Sequence, residues 1–121
     1  ELMATVTKRK LSGSTDGKPI LVVATATAGT TIHTAVAGTT AGTFHEIWLW
    51  AYNGHTAAVV LTLEWGGATV PDQNIVMSIP NKAGLILVVP GFILQNTMIV
   101  KAFAAVANVI TLNGYVNAIT D

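Results

Sequence analysis

The pattern of apolar and polar positions along this chain is typical of β-strands. Threonine, valine, alanine and isoleucine dominate, whereas the strong helix formers Glu, Lys, Gln and Arg are scarce. Gly, Asn or Pro interrupts the pattern at the intervals of about eight to twelve residues that are typical of an all-β sandwich or barrel. We predict an all-β fold, an antiparallel jelly-roll-like β-sandwich. Its eight expected strands cover residues 20–26, 31–36, 44–52, 57–65, 74–79, 85–89, 98–104 and 109–119.

Turn signals set the boundaries of these strands. Asn53-Gly54 predicts a tight hairpin that pairs strand 44–52 with strand 57–65. Pro80-Asn81 and Pro90-Gly91 are expected to bracket a short apolar strand.

The N-terminal part of the chain has a different composition from the rest. Residues 12–17, SGSTDG, have the composition of a flexible linker. We therefore predict a flexible N-terminal arm at residues 1–17 and one β-sandwich domain at residues 18–121. Glu1 and Leu2 are expected to be an expression scar before a natural start.

Strand 44–52 is unusual because both of its faces are largely apolar. Alternate side chains of a strand point to opposite faces, so its bulky aromatic residues share one side. In the predicted hairpin, Val60 and Glu64 join His45, Ile47 and Leu49 on the other side. A strand that is apolar on both faces needs two covers. One is the sandwich core, and the second is a loop, the arm or, as we favour, a subunit interface.

Charge and hydropathy limit the classes of partner. Charged residues make up 10% of the chain and its net charge is zero, which argues against nucleic-acid binding. Residues 83–100 are uncharged, but Pro90, Gly91 and polar residues interrupt the apolar run that a membrane-spanning helix needs. We predict two strands and a turn there, and no membrane association.

The residues able to support catalysis or metal binding do not form a recognisable motif. The chain has no cysteine and no His-x-His pair, and the adjacent His45 and Glu46 must point to opposite faces. A contact between His45 and Glu64 across the hairpin is geometrically possible. We expect no metal, no cofactor and no enzymatic activity. The set considered comprises His33, His45, His55, Glu46, Glu64 and Asp72.

The basic residues are concentrated near the N-terminus, where Lys8, Arg9, Lys10 and Lys18 lie within the first eighteen residues. This cluster is either a solvated tail or an arm that docks on an acidic protein surface. An arm of this kind can add a strand, through residues 5–8, to the open edge of a neighbour's sheet.

Several segments together suggest a family. KRKLSGSTDGKPILV, TIHTA, LTLEWGG, VPDQNI, LVVPGFIL and VITLNGYV resemble small proteins encoded close to the major capsid protein of tailed bacteriophages. The resemblance covers residues 4–119. It implies a virion head protein that is either a decoration (cement) protein or the base of a head spike or fibre.

By similarity to head decoration proteins, the chain is expected to form a homotrimer that binds the major capsid protein and stabilises the mature head. It would be located on the capsid surface of the virion, and in the host cytoplasm during assembly. The capsid-contact arm would include Thr5, Thr7, Lys8, Arg9, Lys10 and Lys18, and the subunit interface His45, Ile47, Leu49, Val60 and Glu64.

An alternative function is that of a carbohydrate-binding module displayed on the virion for host recognition. Tryptophan and tyrosine rings bind the apolar faces of sugars, and Trp48 and Trp50 lie close together in the sequence. We favour core packing for these aromatic residues. Loss of glycan binding in Trp48→Ala or Trp50→Ala variants that remain folded would support the alternative.

Overall fold

The described residues form β-strands and loops without a helix. The computed structural model describes residues 3–121, and the predicted expression scar, Glu1 and Leu2, lies outside the described residues. Within residues 3–121, no helix is long and apolar enough to cross a membrane. The strands are β1 (Thr5–Lys10), β2 (Ile20–Leu21), β3 (Thr30–Thr34), β4 (Phe44–Asn53), β5 (Val59–Trp65), β6 (Asn74–Ile79), β7 (Ile86–Leu94), β8 (Ile99–Ala104) and β9 (Ile110–Thr120).

These strands form two antiparallel sheets, which confirms the predicted all-β sandwich. Sheet A has the order β1-β9-β4-β7, with the short β2 also pairing with β9. Sheet B has the order β3-β8-β5-β6. Strand β4 lies in the middle of sheet A, where it pairs with β9 along its whole length and with β7 on its other side.

The hydrophobic core lies between the two sheets. In β4 the side chains alternate strictly between partly buried and buried, so His45, Ile47, Leu49 and Ala51 point inward. Full burial of a valine, leucine or isoleucine side chain stabilises the fold by roughly 1.5–3 kcal/mol. The largest fully buried side chains are those of Leu11, Val22, Ile32, Ile47, Leu49, Leu61, Leu63, Ile79, Val89, Val100, Ile110 and Leu112.

The predicted hairpin between strands 44–52 and 57–65 is wrong. Strand β4 belongs to sheet A and β5 to sheet B, so the connection at Asn53 crosses from one sheet to the other. The buried Asn53 side chain organises this crossing. Its Nδ2 donates to the carbonyl oxygens of Ala57 and Ile79, at 3.0 and 2.9 Å, and its Oδ1 accepts from the His55 amide.

The described part of the predicted flexible arm is the edge of sheet A. Strand β1 pairs in continuous register with β9, from Thr5 opposite Thr120 to Lys10 opposite Tyr115. The next residue, Leu11, is 1% exposed and belongs to the core. The Gly13 amide then donates to the Ile32 carbonyl oxygen, which connects this segment to sheet B.

Strand β7 continues through Pro90 and Gly91, where the sequence predicts a turn. The register with β4 shifts at this point, because Ile47 lies opposite Phe92 while Trp48 lies opposite Pro90. Proline lacks an amide hydrogen, but an edge strand tolerates it at such an irregularity. The turn expected within residues 83–100 instead follows Leu94, before β8 begins at Ile99.

Candidate functional site

Three aromatic rings form a cluster on the outer face of sheet A. Trp48 and Trp50 are contributed by β4, and Tyr115 by the neighbouring β9. The ring centroids are 6.2 Å apart for the two tryptophans, and 6.4 and 6.1 Å from Tyr115 to Trp48 and Trp50. The interplanar angles lie between 16° and 29°. We call Trp48, Trp50 and Tyr115 the aromatic cluster. Its rings are partly exposed and lie on the outer face of the sheet, whereas we expected the tryptophans to pack in the core.

Polar side chains surround the aromatic cluster. Glu46 Oε1 accepts hydrogen bonds from Trp48 Nε1 at 2.8 Å and from Asn117 Nδ2 at 3.0 Å. These two bonds, the one from Trp48 first, hold the pKa of Glu46 below its usual value. On the other side, Lys8 Nζ lies 4.3 Å from the centroid of the Tyr115 ring, which is a cation–π contact.

The backbone of β7 fixes the position of the Trp48 ring. Gly91 adopts a φ of 83°, and a Cβ atom at this residue would lie only 2.9 Å from Trp48 Cζ2. Glycine therefore provides both the left-handed backbone and the space that the indole fills. The Trp48 ring is held between Gly91, Tyr115 and Trp50, and its Nε1 is bonded to Glu46.

A second feature lies inside the sandwich, where two histidines bridge the sheets. His33 belongs to β3 and His45 to β4, and both are buried. His33 Nε2 and His45 Nδ1 are 2.7 Å apart. His33 Nδ1 accepts the Ser12 amide hydrogen at 3.0 Å, so its proton must be on Nε2. The His33 Nε2–H consequently donates to His45 Nδ1.

Burial favours the neutral form of both histidines. Desolvation, and secondarily the proximity of His45, lowers the pKa of His33 to about 4. The pKa of His45 is lowered by burial and then by the charge of Arg9. His33 and His45 therefore contact each other within one subunit. This contact replaces the His45–Glu64 contact that the predicted hairpin suggested.

Glu64 instead lies on the outer face of sheet B, covered by the loop before β3. Its two carboxylate oxygens accept from Thr27 Oγ1 at 2.8 Å and from the Gly29 amide at 2.7 Å. A cavity of about 320 Å³ adjoins this carboxylate and is also lined by Lys101 and Met98.

The five residues predicted for the subunit interface do not share a surface. Ile47 and Leu49 are 0% exposed and pack in the core of the single chain. His45 and Glu64 are also buried, His45 between the two sheets and Glu64 on the outer face of sheet B. Only Val60 is largely exposed. The other four side chains leave no surface for a neighbouring subunit, because the sheet pairing differs from the hairpin on which the prediction was based.

The residues predicted for the capsid-contact arm all lie on the surface. Five belong to β1, at the edge of sheet A, and Lys18 follows in the loop. Lys10 Nζ donates to the Ser14 carbonyl oxygen at 3.1 Å, while Lys8 contacts Tyr115. The exposed set is Thr5, Thr7, Lys8, Arg9, Lys10 and Lys18.

The sequence interpretation missed the contribution of β9 to the aromatic cluster. Alternation within residues 110–119 places Asn113, Tyr115 and Asn117 on one face, but only the pairing of β9 with β4 brings that face beside Trp48. Within residues 3–121, His, Asp and Glu form no group of three or more able to hold a metal ion. Comparisons with protein-family models, curated proteins and solved structures found no match.

Proposed function

We propose that the chain is a non-enzymatic virion structural protein that binds the mature capsid surface as a homotrimeric decoration protein. The observation that carries this proposal is the strand order, β1-β9-β4-β7 facing β3-β8-β5-β6. It is the order expected of a jelly roll, an architecture common in viral capsid and lectin domains. It supports the jelly-roll assignment and agrees with the resemblance to phage head proteins.

The apolar edge at β7 supports a subunit contact. Residues 83–100 carry no charge, and β7 is an edge strand of sheet A. Long exposed apolar edges are typical association sites. We therefore assign the trimer contact to this edge rather than to the buried Ile47 and Leu49. The side chains at or next to it that are about half exposed are Leu85, Leu87, Phe92 and Ile93.

Strand β1 supports the capsid contact. One side of β1 pairs with β9, while its other side is the end of the sheet, where a further strand can be added. Lys8, Arg9 and Lys10 make this edge basic, so it suits an acidic or neutral extended segment of the major capsid protein. We therefore keep the N-terminal residues as the proposed capsid contact, but a paired strand rather than a flexible arm would provide it.

Binding of this kind stabilises a capsid by linkage. A protein that binds the assembled mature lattice, and not its dissociated subunits, raises the stability of the lattice by its binding free energy. A trimer that engages neighbouring capsid subunits at once gains further through effective concentration. A modest contact between each chain and the capsid is therefore enough to stabilise the lattice.

The trimer is tested by native mass spectrometry of the 12.6 kDa chain. We expect a trimer that Phe92→Lys weakens, because it places a charge in the apolar edge. Val106→Lys, at an exposed apolar residue of the loop between β8 and β9, serves as the matched control and should leave the trimer intact. A monomer in the unmodified protein at micromolar concentration would contradict the assignment.

Capsid binding is tested by co-sedimentation with expanded capsids of the phage that encodes the chain. Arg9→Glu should reduce the bound fraction several-fold, because it reverses a charge at the β1 edge. Lys82→Glu makes the same charge change at an exposed residue of the loop between β6 and β7 and should have little effect. Equal binding by both variants would argue against β1 as the contact.

A further inference from the structure

The aromatic cluster on the outer face of sheet A has the components of a small-molecule binding site. Trp48, Trp50 and Tyr115 are nearly parallel and mutually in contact. They are partly exposed rather than covered by another segment of the described chain. Large, rigid rings lose little conformational entropy when a ligand packs on them. The cluster therefore offers apolar contact area to a ligand at a low cost in conformational entropy.

The cluster is also preorganised. Trp48 is fixed by its hydrogen bond to Glu46 and by its close approach to Gly91. Glu46 is itself held by Asn117 from the adjacent strand. A site whose side chains are already in place does not spend binding free energy on ordering them.

The polar groups at its rim provide both hydrogen-bond donors and acceptors. Within residues 3–121, both hydrogen bonds that the Glu46 carboxylate accepts go to Oε1, which leaves Oε2 available as an acceptor. Asn113 lies opposite Trp50 in the register, on the same outer face. Lys8 brings an ammonium group to the Tyr115 side. Glu46 and Lys8, the two charged groups that contact the cluster rings, balance each other. Lys10, opposite Tyr115 in the register, donates through Nζ to the Ser14 carbonyl oxygen instead.

We propose that this face binds a neutral pyranose-containing glycan. The C–H face of a pyranose ring packs on aromatic rings, and its hydroxyl groups pair with carboxylate, amide and ammonium groups. The balanced charge of the two groups that contact the rings, Glu46 and Lys8, favours a neutral sugar over a sialylated or uronic one. A protein partner fits less well, because interface cores are depleted in charged residues and the uncharged β7 edge meets that requirement better.

The glycan site can be tested separately from the capsid contact, because residues of one chain build it, although both assignments use Lys8. Failure to bind a glycan would leave the trimer and co-sedimentation results unaffected. Conversely, absence of a trimer would not remove the aromatic cluster, which residues of one chain build completely.

The test is saturation-transfer-difference NMR on the purified protein. The probes are neutral oligosaccharides of glucose, galactose, mannose and N-acetylglucosamine at millimolar concentration, with sialyllactose and oligogalacturonate as acidic probes. We expect saturation transfer to at least one neutral oligosaccharide and weaker transfer to the acidic ones. Absence of transfer to every neutral oligosaccharide, or stronger transfer to the acidic ones, would overturn the proposal.

Variants identify the site. Trp50→Ala should weaken binding of the neutral oligosaccharide tenfold or more, and Glu46→Gln several-fold. Phe103→Ala, a partly buried aromatic residue of sheet B, is the control and should bind like the unmodified protein. Amide NMR spectra check the fold, and Trp50→Phe replaces Trp50→Ala if that variant unfolds. Unchanged binding in both cluster variants would overturn the assignment.

Discussion

At the scale of single residues, the His33–His45 hydrogen bond fixes how the two sheets meet. The Ser12 amide donates to His33, and His33 donates to His45. The Ser12 hydroxyl also accepts from the Thr34 amide at 2.8 Å. Each histidine can accept its hydrogen bond at Nδ1 only while it is neutral, because a doubly protonated imidazole has no acceptor nitrogen.

We predict that the protein loses stability as the pH falls from about 6.5 to about 4. The pKa of His33 is about 4 in the folded chain, against its ordinary value of 6.5. Between these values the unfolded state binds more protons, so the free energy of unfolding decreases as the pH falls. This shift corresponds to about 3 kcal/mol for His33. Urea denaturation at several pH values measures the effect.

The control for this prediction is a histidine outside the pair. His33→Gln should lower stability at neutral pH but flatten its pH dependence over this range. His55→Gln should keep the slope of the unmodified protein, since the His55 contact to Asn53 is made by its backbone amide. If His33→Gln kept the full slope, the pair would not be the cause.

At the scale of the strands, the local sequence pattern predicted the individual strands better than it predicted how they pair. The alternation in β4 correctly separates Ile47 and Leu49 from Trp48 and Trp50. It could not show which set faces the core, because both are apolar. That choice depends on β9 and β7, which lie far along the chain from β4.

Two other differences have local physical causes. The sequence Asn53-Gly54 matches a hairpin signal, but the Asn53 side chain is used to bond carbonyl groups of Ala57 and Ile79. Strand β1 has exposed side chains along its whole length. An edge strand without an apolar face has no alternation to detect, so its sequence resembles a loop.

At the same scale, we predict that Gly91→Ala destabilises the sandwich by about 2–3 kcal/mol. The new Cβ would contact Trp48 Cζ2 at 2.9 Å, and the left-handed φ adds strain. Chemical denaturation measures the loss. Tryptophan fluorescence of the folded variant should also change, because the Trp48 ring must move.

Gly38 provides a matched comparison. It has a similar φ of 91°, but an added Cβ would have no atom within 4 Å. Gly38→Ala should therefore cost only the backbone strain, about 1 kcal/mol. Equal losses for the two variants would show that Trp48 does not limit the space at Gly91.

At the scale of the whole molecule, the N-terminal segment is part of the folded domain. Leu11 lies in the core, and the segment after it bonds to β3. Deleting residues 1–17 would remove an edge strand and a core side chain together. Loss of capsid binding in such a truncation would not distinguish a lost contact from a damaged fold, so charge reversal at Arg9 is the sharper test.

We predict that Leu11→Ala lowers the free energy of unfolding by about 3 kcal/mol, a value within the range for buried leucines. Thermal and urea denaturation measure the loss. Val70→Ala truncates an apolar side chain that is 70% exposed and lies outside the proposed contacts. This control should change stability by less than about 0.5 kcal/mol. If Leu11→Ala lost as little stability as the control variant, the N-terminal segment would detach readily from the sandwich.

The charge on β1 also determines what cannot bind there. If two copies paired their β1 edges in an antiparallel register centred on Arg9, Lys8, Arg9 and Lys10 of one chain would face the same basic residues of the other. Like charges directly opposite one another destabilise strand pairing. The charge thus disfavours β1-to-β1 pairing of identical chains, whereas a strand without positive charge would not meet this repulsion.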